Sequence, residues 1–387
     1  MALLRLSVLS GAVGGLALMA VTAASSPSVA AQCCVERPAS TSLNTEVIAS
    51  GLDGPWGMAF LPDGSILVTE LPGNIRRIVD GVVSAPFAGV PEVGYVGQGG
   101  LLDIALDPDF AETQTIFFSY AQPSDRGRSY GTAVARARID LDAGRLEDVQ
   151  TIFTSNEESS GGRHFGSRIR FAPDKTLFVT IGDRGTQMRA QDPFDHAGSV
   201  VRINRDGSIP ANNPFADGRD ALPEIWSIGH RNAQGAAIHP ETGELWTLSH
   251  GARGGDEVNQ PEAGLNYGWP LISYGRNYSG FGFAQGSEAE GLEQPIYYWD
   301  PSIAPSGFDF YSHPAPLIPD WQGSLLAGAL REQLLSRLIL DGDTVVAEEQ
   351  YFVGTFGRIR DVRTGPDGAV WLLTDGGELI RVTQAVS

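Results

Sequence analysis

The sequence predicts an all-β fold: a six-bladed β-propeller of four-stranded antiparallel sheets. Three observations lead there. A strand–turn–strand unit recurs along the chain, glycine is abundant at 48 of 387 residues, and almost no stretch carries the apolar period of an amphipathic helix.

The unit is clearest at Gly57-Met58-Ala59-Phe60-Leu61-Pro62-Asp63-Gly64, which leads into Ser65-Ile66-Leu67-Val68-Thr69. It returns at Leu101 to Phe110, at Arg168 to Asp174, at Gly235 to Glu241 and at Arg360 to Gly368, each time followed by an apolar run. Alternating apolar residues mark the strands, and Pro with Asp or Gly supplies the turn dihedrals. The turn prolines are Pro62, Pro108, Pro173, Pro240 and Pro366. The last interval is nearly twice as long as the two before it, and a degenerate copy at Pro319-Asp320-Trp321-Gln322-Gly323 fills it, giving six units. Small sheets of this kind bury their faces only against neighbours around an axis. A seven-bladed ring is the alternative, whereas a TIM barrel would need helices between its strands. Ligands of such a ring sit at one mouth of the central channel, so functional residues should be scattered along the chain.

The ends and the charge bound the setting. Arg5, the apolar run Val8 to Val21 and the small residues Ala23 to Ala31 have the layout of a secretory signal peptide over 1–31. Residues 32–43 read as a flexible arm and 44–387 as a single propeller domain. This predicts a periplasmic or secreted protein with no membrane insertion after signal cleavage. Cys33 and Cys34 are adjacent, and disulfide geometry disfavours a bridge between them. A net charge of −19 argues against nucleic acid and anionic membranes as partners.

Polar, glycine-rich segments interrupt the repeat: Gly97-Gln98-Gly99-Gly100, Gly161-Gly162-Arg163-His164-Phe165-Gly166, Ile181-Gly182-Asp183-Arg184-Gly185, Gly229-His230-Arg231-Asn232, His250 to Glu257, and Gly357-Arg358-Ile359-Arg360-Asp361. There is no H-E-x-x-H, C-x-x-C or G-x-S-x-G motif and no phosphate loop, so zinc, serine-hydrolase and nucleotide chemistry fit poorly. Arginines, amides, carboxylates and one well-placed histidine remain. Arg358 and Arg360 are separated by one residue, so on a strand they share a face. With Arg231 and Arg331 from other blades they could converge on a small polyanion, each charge-assisted bond contributing roughly 1.5–3 kcal/mol.

From about Val47 to Val382 the chain resembles the soluble PQQ-dependent aldose sugar dehydrogenases, relatives of soluble quinoprotein glucose dehydrogenase. The most specific stretches are Gly229-His230-Arg231-Asn232-Ala233-Gln234-Gly235, Gly251 to Glu257 with Asn266-Tyr267-Gly268-Trp269-Pro270, and Arg358-Ile359-Arg360-Asp361-Val362. The resemblance implies pyrroloquinoline quinone (PQQ) and Ca²⁺ as cofactors, an aldose substrate, and an external electron acceptor, a quinone or a cytochrome. It implies that Arg358 and Arg360 hold cofactor carboxylates, with Gln98, Asn232, Tyr278 and the Ala329-Leu330-Arg331 segment as further contacts. Arg331 stands where the family commonly has lysine, which changes reach and hydrogen-bond geometry. His164 aligns with the general base, Asp183 with the carboxylate that orients it, and Arg231 with the cation that stabilises charge on the quinone oxygen. The carbonyls of Gly251 and Ala252 map to calcium ligands, Ala252 replacing a usual proline, and Glu257 with the backbone of Tyr267 maps to a second, structural calcium. Trp299 is either a platform for the sugar ring or a core residue. Two other readings compete: a calcium-dependent propeller lactonase, and a propeller that binds without catalysis.

Overall fold

A computed structural model describes residues 35–385, apart from 157, 281 and 284. The leader assigned to 1–31 and the two cysteines lie outside the described residues. Six sheets form the ring. Blade 1 is Pro55–Phe60, Ile66–Glu70, Asn74–Val79 and Val82–Val83. Blade 2 is Leu101–Leu106, Thr115–Pro123, Tyr130–Asp140 and Arg145–Thr154. Blade 3 is Ile169–Phe171, Leu177–Thr180, Ser199–Ile203 and Ile225–Ile228. Blade 4 is Ala233–Ile238, Leu245–Ser249, Asp256–Asn259 and Tyr297–Trp299. Blade 5 is Pro305–Phe310, Leu325–Ala329, Leu335–Asp341 and Thr344–Tyr351.

Blade 6 draws on both ends of the sequence: Ile359–Thr364, Val370–Thr374 and Leu379–Gln384 are completed by Leu43–Ala49, antiparallel to the last of these. The first strand of each blade packs on the first strand of the next, and blade 6 on blade 1, so the ring is closed. All six Pro-containing turns fall between the first and second strands of a blade, the sixth as the short 3₁₀ turn Pro319–Trp321.

The burial pattern explains why the second strands are apolar on both sides. Ile66–Glu70, Leu325–Ala329 and Val370–Thr374 are buried at every position, because each blade is covered by its two neighbours. Outer strands such as Arg145–Thr154 return to a polar pattern. Close approach of the inner strands requires glycine: a Cβ at Gly307 in blade 5 would lie 2.3 Å from the Val362 nitrogen in blade 6.

The arm over 32–43 differs from expectation. Val35–Arg37 pairs in parallel with Thr344–Tyr351 as a fifth strand of blade 5. Ser40 Oγ donates to Glu349, and Trp321 Nε1 donates to Thr41. The free edge of blade 5 offers unpaired backbone groups, and this segment takes them.

A buried charge network links the blades. Fully buried Arg168 of the blade 2–3 connection donates to Asp103 of blade 2 (3.0 Å), pairs with Asp361 of blade 6 (3.0 Å) and donates to the Gln234 carbonyl of blade 4 (2.6 Å). Its guanidinium lies 4.1 Å over the ring of Trp56 in blade 1. One side chain thus ties blades 1, 2, 4 and 6.

Candidate active site

The His164 loop joins blades 2 and 3. His164 takes a left-handed conformation, φ 57°, which turns its ring inward. The neighbouring strand exit passes close beneath it only because residue 182 is glycine: a Cβ there would lie 2.2 Å from the His164 carbonyl oxygen. The His164 N–H donates to Gln98 Oε1 (2.8 Å), and its Nδ1 lies 2.6 Å from Asp183 Oδ1. Asp183 also accepts from the Gly185 N–H (2.7 Å) and, on its other oxygen, from Trp269 Nε1 (2.8 Å). An ionised carboxylate only accepts, so Nδ1 carries the proton and Nε2 keeps a lone pair.

Electrostatics agree with that tautomer. Burial pushes the His164 pKa down, the Asp183 hydrogen bond pulls it up, and positive charge on Arg231 pushes it down again, leaving it below 6.5. Burial raises the Asp183 carboxyl, but the His164 hydrogen bond and charge outweigh it, and the group lies below the ordinary 3.8. A neutral imidazole beside an ionised aspartate is the resting state at neutral pH.

Arg231 is buried, with its guanidinium 5.3 Å from the Trp269 ring and Nη1 donating to the His250 carbonyl (3.2 Å). Its Nε, Asn232 Nδ2 and His250 Nε2 are buried polar atoms without partners among the described residues. Asn232 uses its oxygen on the Gly166 N–H (3.1 Å), which ties it to the His164 loop. Burial, then the charges of Arg231, His164 and Arg360, push the His250 imidazole down to about 3.

On the blade 6 side, Arg358 and Arg360 share a face as expected, and both turn to Asp375. Arg358 Nε donates to one carboxylate oxygen (2.7 Å) and Arg360 Nε to the other (2.9 Å). Arg360 is buried and also donates to Gln234 Oε1 (2.9 Å) and Ser306 Oγ (3.2 Å). The Arg358 side chain is 47% exposed and reaches the Leu330 carbonyl (3.3 Å).

Other candidates are not gathered in this way. Arg331 is 61% exposed and its nearest carboxylate is Glu332, at 3.5 Å. Ala329 lies in the apolar core of blades 4 and 5. Tyr278 is 73% exposed, yet lies near enough for its hydroxyl to act on Arg231. Trp299 proves to be a core residue: it is buried, packs edge-on against Tyr297 and donates Nε1 to Glu348 (3.1 Å).

Gly251 and Ala252 are buried, and among the described residues neither carbonyl accepts a hydrogen bond. Asp256 shapes this loop: it accepts from the Gly251 N–H (2.8 Å), the Ile303 N–H (2.8 Å), the Ala304 N–H (3.0 Å) and Ser302 Oγ (3.0 Å). Unused buried carbonyls suit a hard cation. Burial pushes the Glu257 carboxyl up to about 7, with Asn259 Nδ2 as its hydrogen-bond donor (3.2 Å), so a cation there would hold it ionised. The Tyr267 ring stacks on His230 at 4.9 Å. Among the described residues no group of three or more His, Cys, Asp or Glu could hold a metal.

Sequence reasoning missed Trp269, Asp375 and Asp256 as partners of the predicted residues. Trp269 and Asp256 lie inside quoted motifs, which was the available signal; Asp375 sits in an ordinary Asp-Gly-Gly turn.

Residues 52–381 match the family model described as glucose/sorbosone dehydrogenase. The chain belongs to that family. An aldose sugar dehydrogenase of Escherichia coli, YliI, is 43% identical over 351 residues, covering 89% of this chain and 94% of that protein. The apo-form structure of the soluble aldose sugar dehydrogenase from Escherichia coli superposes with a TM-score of 0.85 at 42% identity, over 89% of this chain and all of the other. The PQQ-bound aldose sugar dehydrogenase of Streptomyces coelicolor gives 0.73 at 28% identity, covering 89% and 99%. The resemblance read from the sequence and the six-bladed architecture are both borne out, and family membership makes the chain a sugar-dehydrogenase-type oxidoreductase. Among the described residues no helix is long and apolar enough to cross a membrane.

Proposed function

We propose that the protein oxidises the anomeric hydroxyl of aldoses to lactones with PQQ and Ca²⁺, delivering electrons to an external quinone or cytochrome. The observation that carries this reading is the His164–Asp183–Trp269 chain with the buried Arg231 guanidinium, its Nε unpartnered among the described residues, beside the ring of that Trp269. When bound, PQQ supplies the acceptor for the hydride leaving C1, and calcium polarises its quinone carbonyl.

The chain's own residues do the rest. His164 Nε2 takes the C1 hydroxyl proton, and Asp183 holds the ring in the tautomer that leaves this nitrogen free and stabilises the imidazolium. Arg231 offers a dry guanidinium to negative charge developing opposite the sugar. Arg358 and Arg360, with Gln98, Asn232, Tyr278 and the Ala329–Arg331 segment, would receive the cofactor's carboxylates and ring, and the unsatisfied nitrogens of Arg231, Asn232 and His250 suit a ligand rich in acceptor oxygens. Gly251, Ala252, Glu257 and Tyr267 would hold calcium. Secretion to the periplasm or beyond, with the leader over 1–31, belongs to the same reading.

The lactonase alternative needs a metal held by side-chain carboxylates and amides, and the described residues hold no carboxylate cluster of that kind. The test is reconstitution of the purified apoprotein with PQQ and Ca²⁺, following dye reduction by glucose. Turnover that requires both cofactors and collapses in His164→Ala is expected. Absence of turnover, or turnover indifferent to that substitution, would overturn the proposal.

A further inference from the structure

On the outer flank of the His164 loop lies an open hollow of about 730 Å³. Among the described residues its walls carry two guanidinium groups, Arg163 and Arg184, the hydroxyls of Ser159, Ser160 and Thr186, and one carboxylate, Glu158. That carboxylate is already engaged by Ser129 Oγ at 2.6 Å.

Arg184 is unusual. It is 3% exposed, yet its terminal nitrogens meet only neutral carbonyls, those of Arg163 (2.6 Å), Gly161 (3.0 Å) and Tyr130 (3.3 Å). Its Nε is buried without a partner among the described residues, and its guanidinium carbon lies 3.4 Å from the centroid of the Phe165 ring. The nearby Arg189 is paired with Asp195 (2.5 Å), and the neighbouring Asp183 is bound to His164 and Trp269. A buried cation without a counter-ion is costly, and in a chain of net charge −19 carboxylates are abundant. Among the described residues no carboxylate hydrogen-bonds Arg184, only the charge of the adjacent Asp183 favouring it, and its bare Nε points to a ligand.

We infer that this hollow is an oxyanion subsite, in which Arg184, Arg163 and the three hydroxyls take a phosphate or carboxylate group, either free or carried by an aldose at a carbon away from C1. Guanidinium forks match both groups in geometry. Arg163 precedes His164 and Arg184 follows Asp183 in the chain, so the hollow is built on the same two loops as the base. The second source of the anion rests on the proposed sugar oxidation; the first does not.

Two measurements test it. Thermal unfolding of cofactor-free protein is followed with inorganic phosphate against chloride at equal ionic strength, for the wild type, Arg163→Gln and Arg184→Lys. Phosphate should raise the wild-type midpoint by a few degrees. The shift should at least halve in Arg163→Gln and survive in part in Arg184→Lys; if the lysine variant does not fold, Arg163→Gln alone decides. In reconstituted enzyme, kcat/KM for glucose 6-phosphate and glucuronate is compared with that for glucose. A ratio tenfold or more above one, falling toward one in Arg163→Gln, assigns the anion to the substrate; a phosphate shift with a ratio near one assigns it to a free anion. Loss of both effects, or effects equal in wild type and Arg163→Gln, overturns the subsite. The first measurement needs no cofactor, so failure of PQQ-dependent turnover leaves it readable.

Discussion

The two walls of the mouth are built differently. On the blade 2–4 side, His164, Asp183 and Trp269 are buried and already hydrogen-bonded in a chain, with the exposed Gln98 accepting from the His164 N–H. On the blade 6 side, Arg358 and Arg360 share the single carboxylate of Asp375, which offsets one of their two charges, and one of them is half exposed. The first wall is organised before any ligand arrives, which is what proton transfer at fixed distance requires. The second holds its charge in reserve, since a bound anion must share both guanidinium groups with Asp375. Chemistry is fixed in the fold, and anion grip is adjustable.

The largest expected effect breaks the first wall. His164→Ala should lower kcat by on the order of 10²–10⁴-fold while leaving the PQQ absorbance titration intact. Comparable loss of PQQ binding would mean that the two walls are not separable. Asp183→Asn should lower kcat by a similar order, because the amide can donate to Nδ1 and favour the wrong tautomer. Trp269→Phe, which removes only the outer hydrogen bond, should cost less than either; equal loss would show that the ring rather than the carboxylate sets the geometry.

The second wall should respond in affinity. Arg360→Met should weaken PQQ binding by about 10–100-fold, the worth of a buried charge-assisted bond, and Arg358→Met by under about fivefold, the worth of an exposed one. The reverse order in a PQQ titration would contradict the burial argument. The smallest effect concerns pH. Because burial and Arg231 depress His164, its ring in cofactor-free protein should titrate below 6.5 by NMR and remain the neutral proton acceptor down to that lower pH. Arg231→Met removes a lowering charge and should move the midpoint upward; a downward move would exclude the assigned electrostatics.

The same contrast shows what was legible in the sequence. Turns written as Pro-Asp-Gly and strands written as apolar runs are local signals, so six blades could be counted. Arg358 and Arg360 were legible as a pair because a strand's period of two is also local. Their convergence on Asp375 was not, since a tertiary partner leaves no spacing signature. Trp299 shows the limit from the other side: an aromatic in a polar-looking stretch reads equally as platform or core, and only its Nε1 contact with Glu348 decides. The arm over 32–43 looked unstructured because three strand residues carry no period, yet an exposed sheet edge was enough to order them.

The last blade borrows its outer strand from the opposite end of the sequence. A partly synthesised chain can stack sheets one after another, but it cannot become a ring until Leu43–Ala49 meets Leu379–Gln384. Trimming either of these strands therefore acts at a distance: it releases a latch, lets blades 1 and 6 part, and spreads arginines and histidine that no cut has touched.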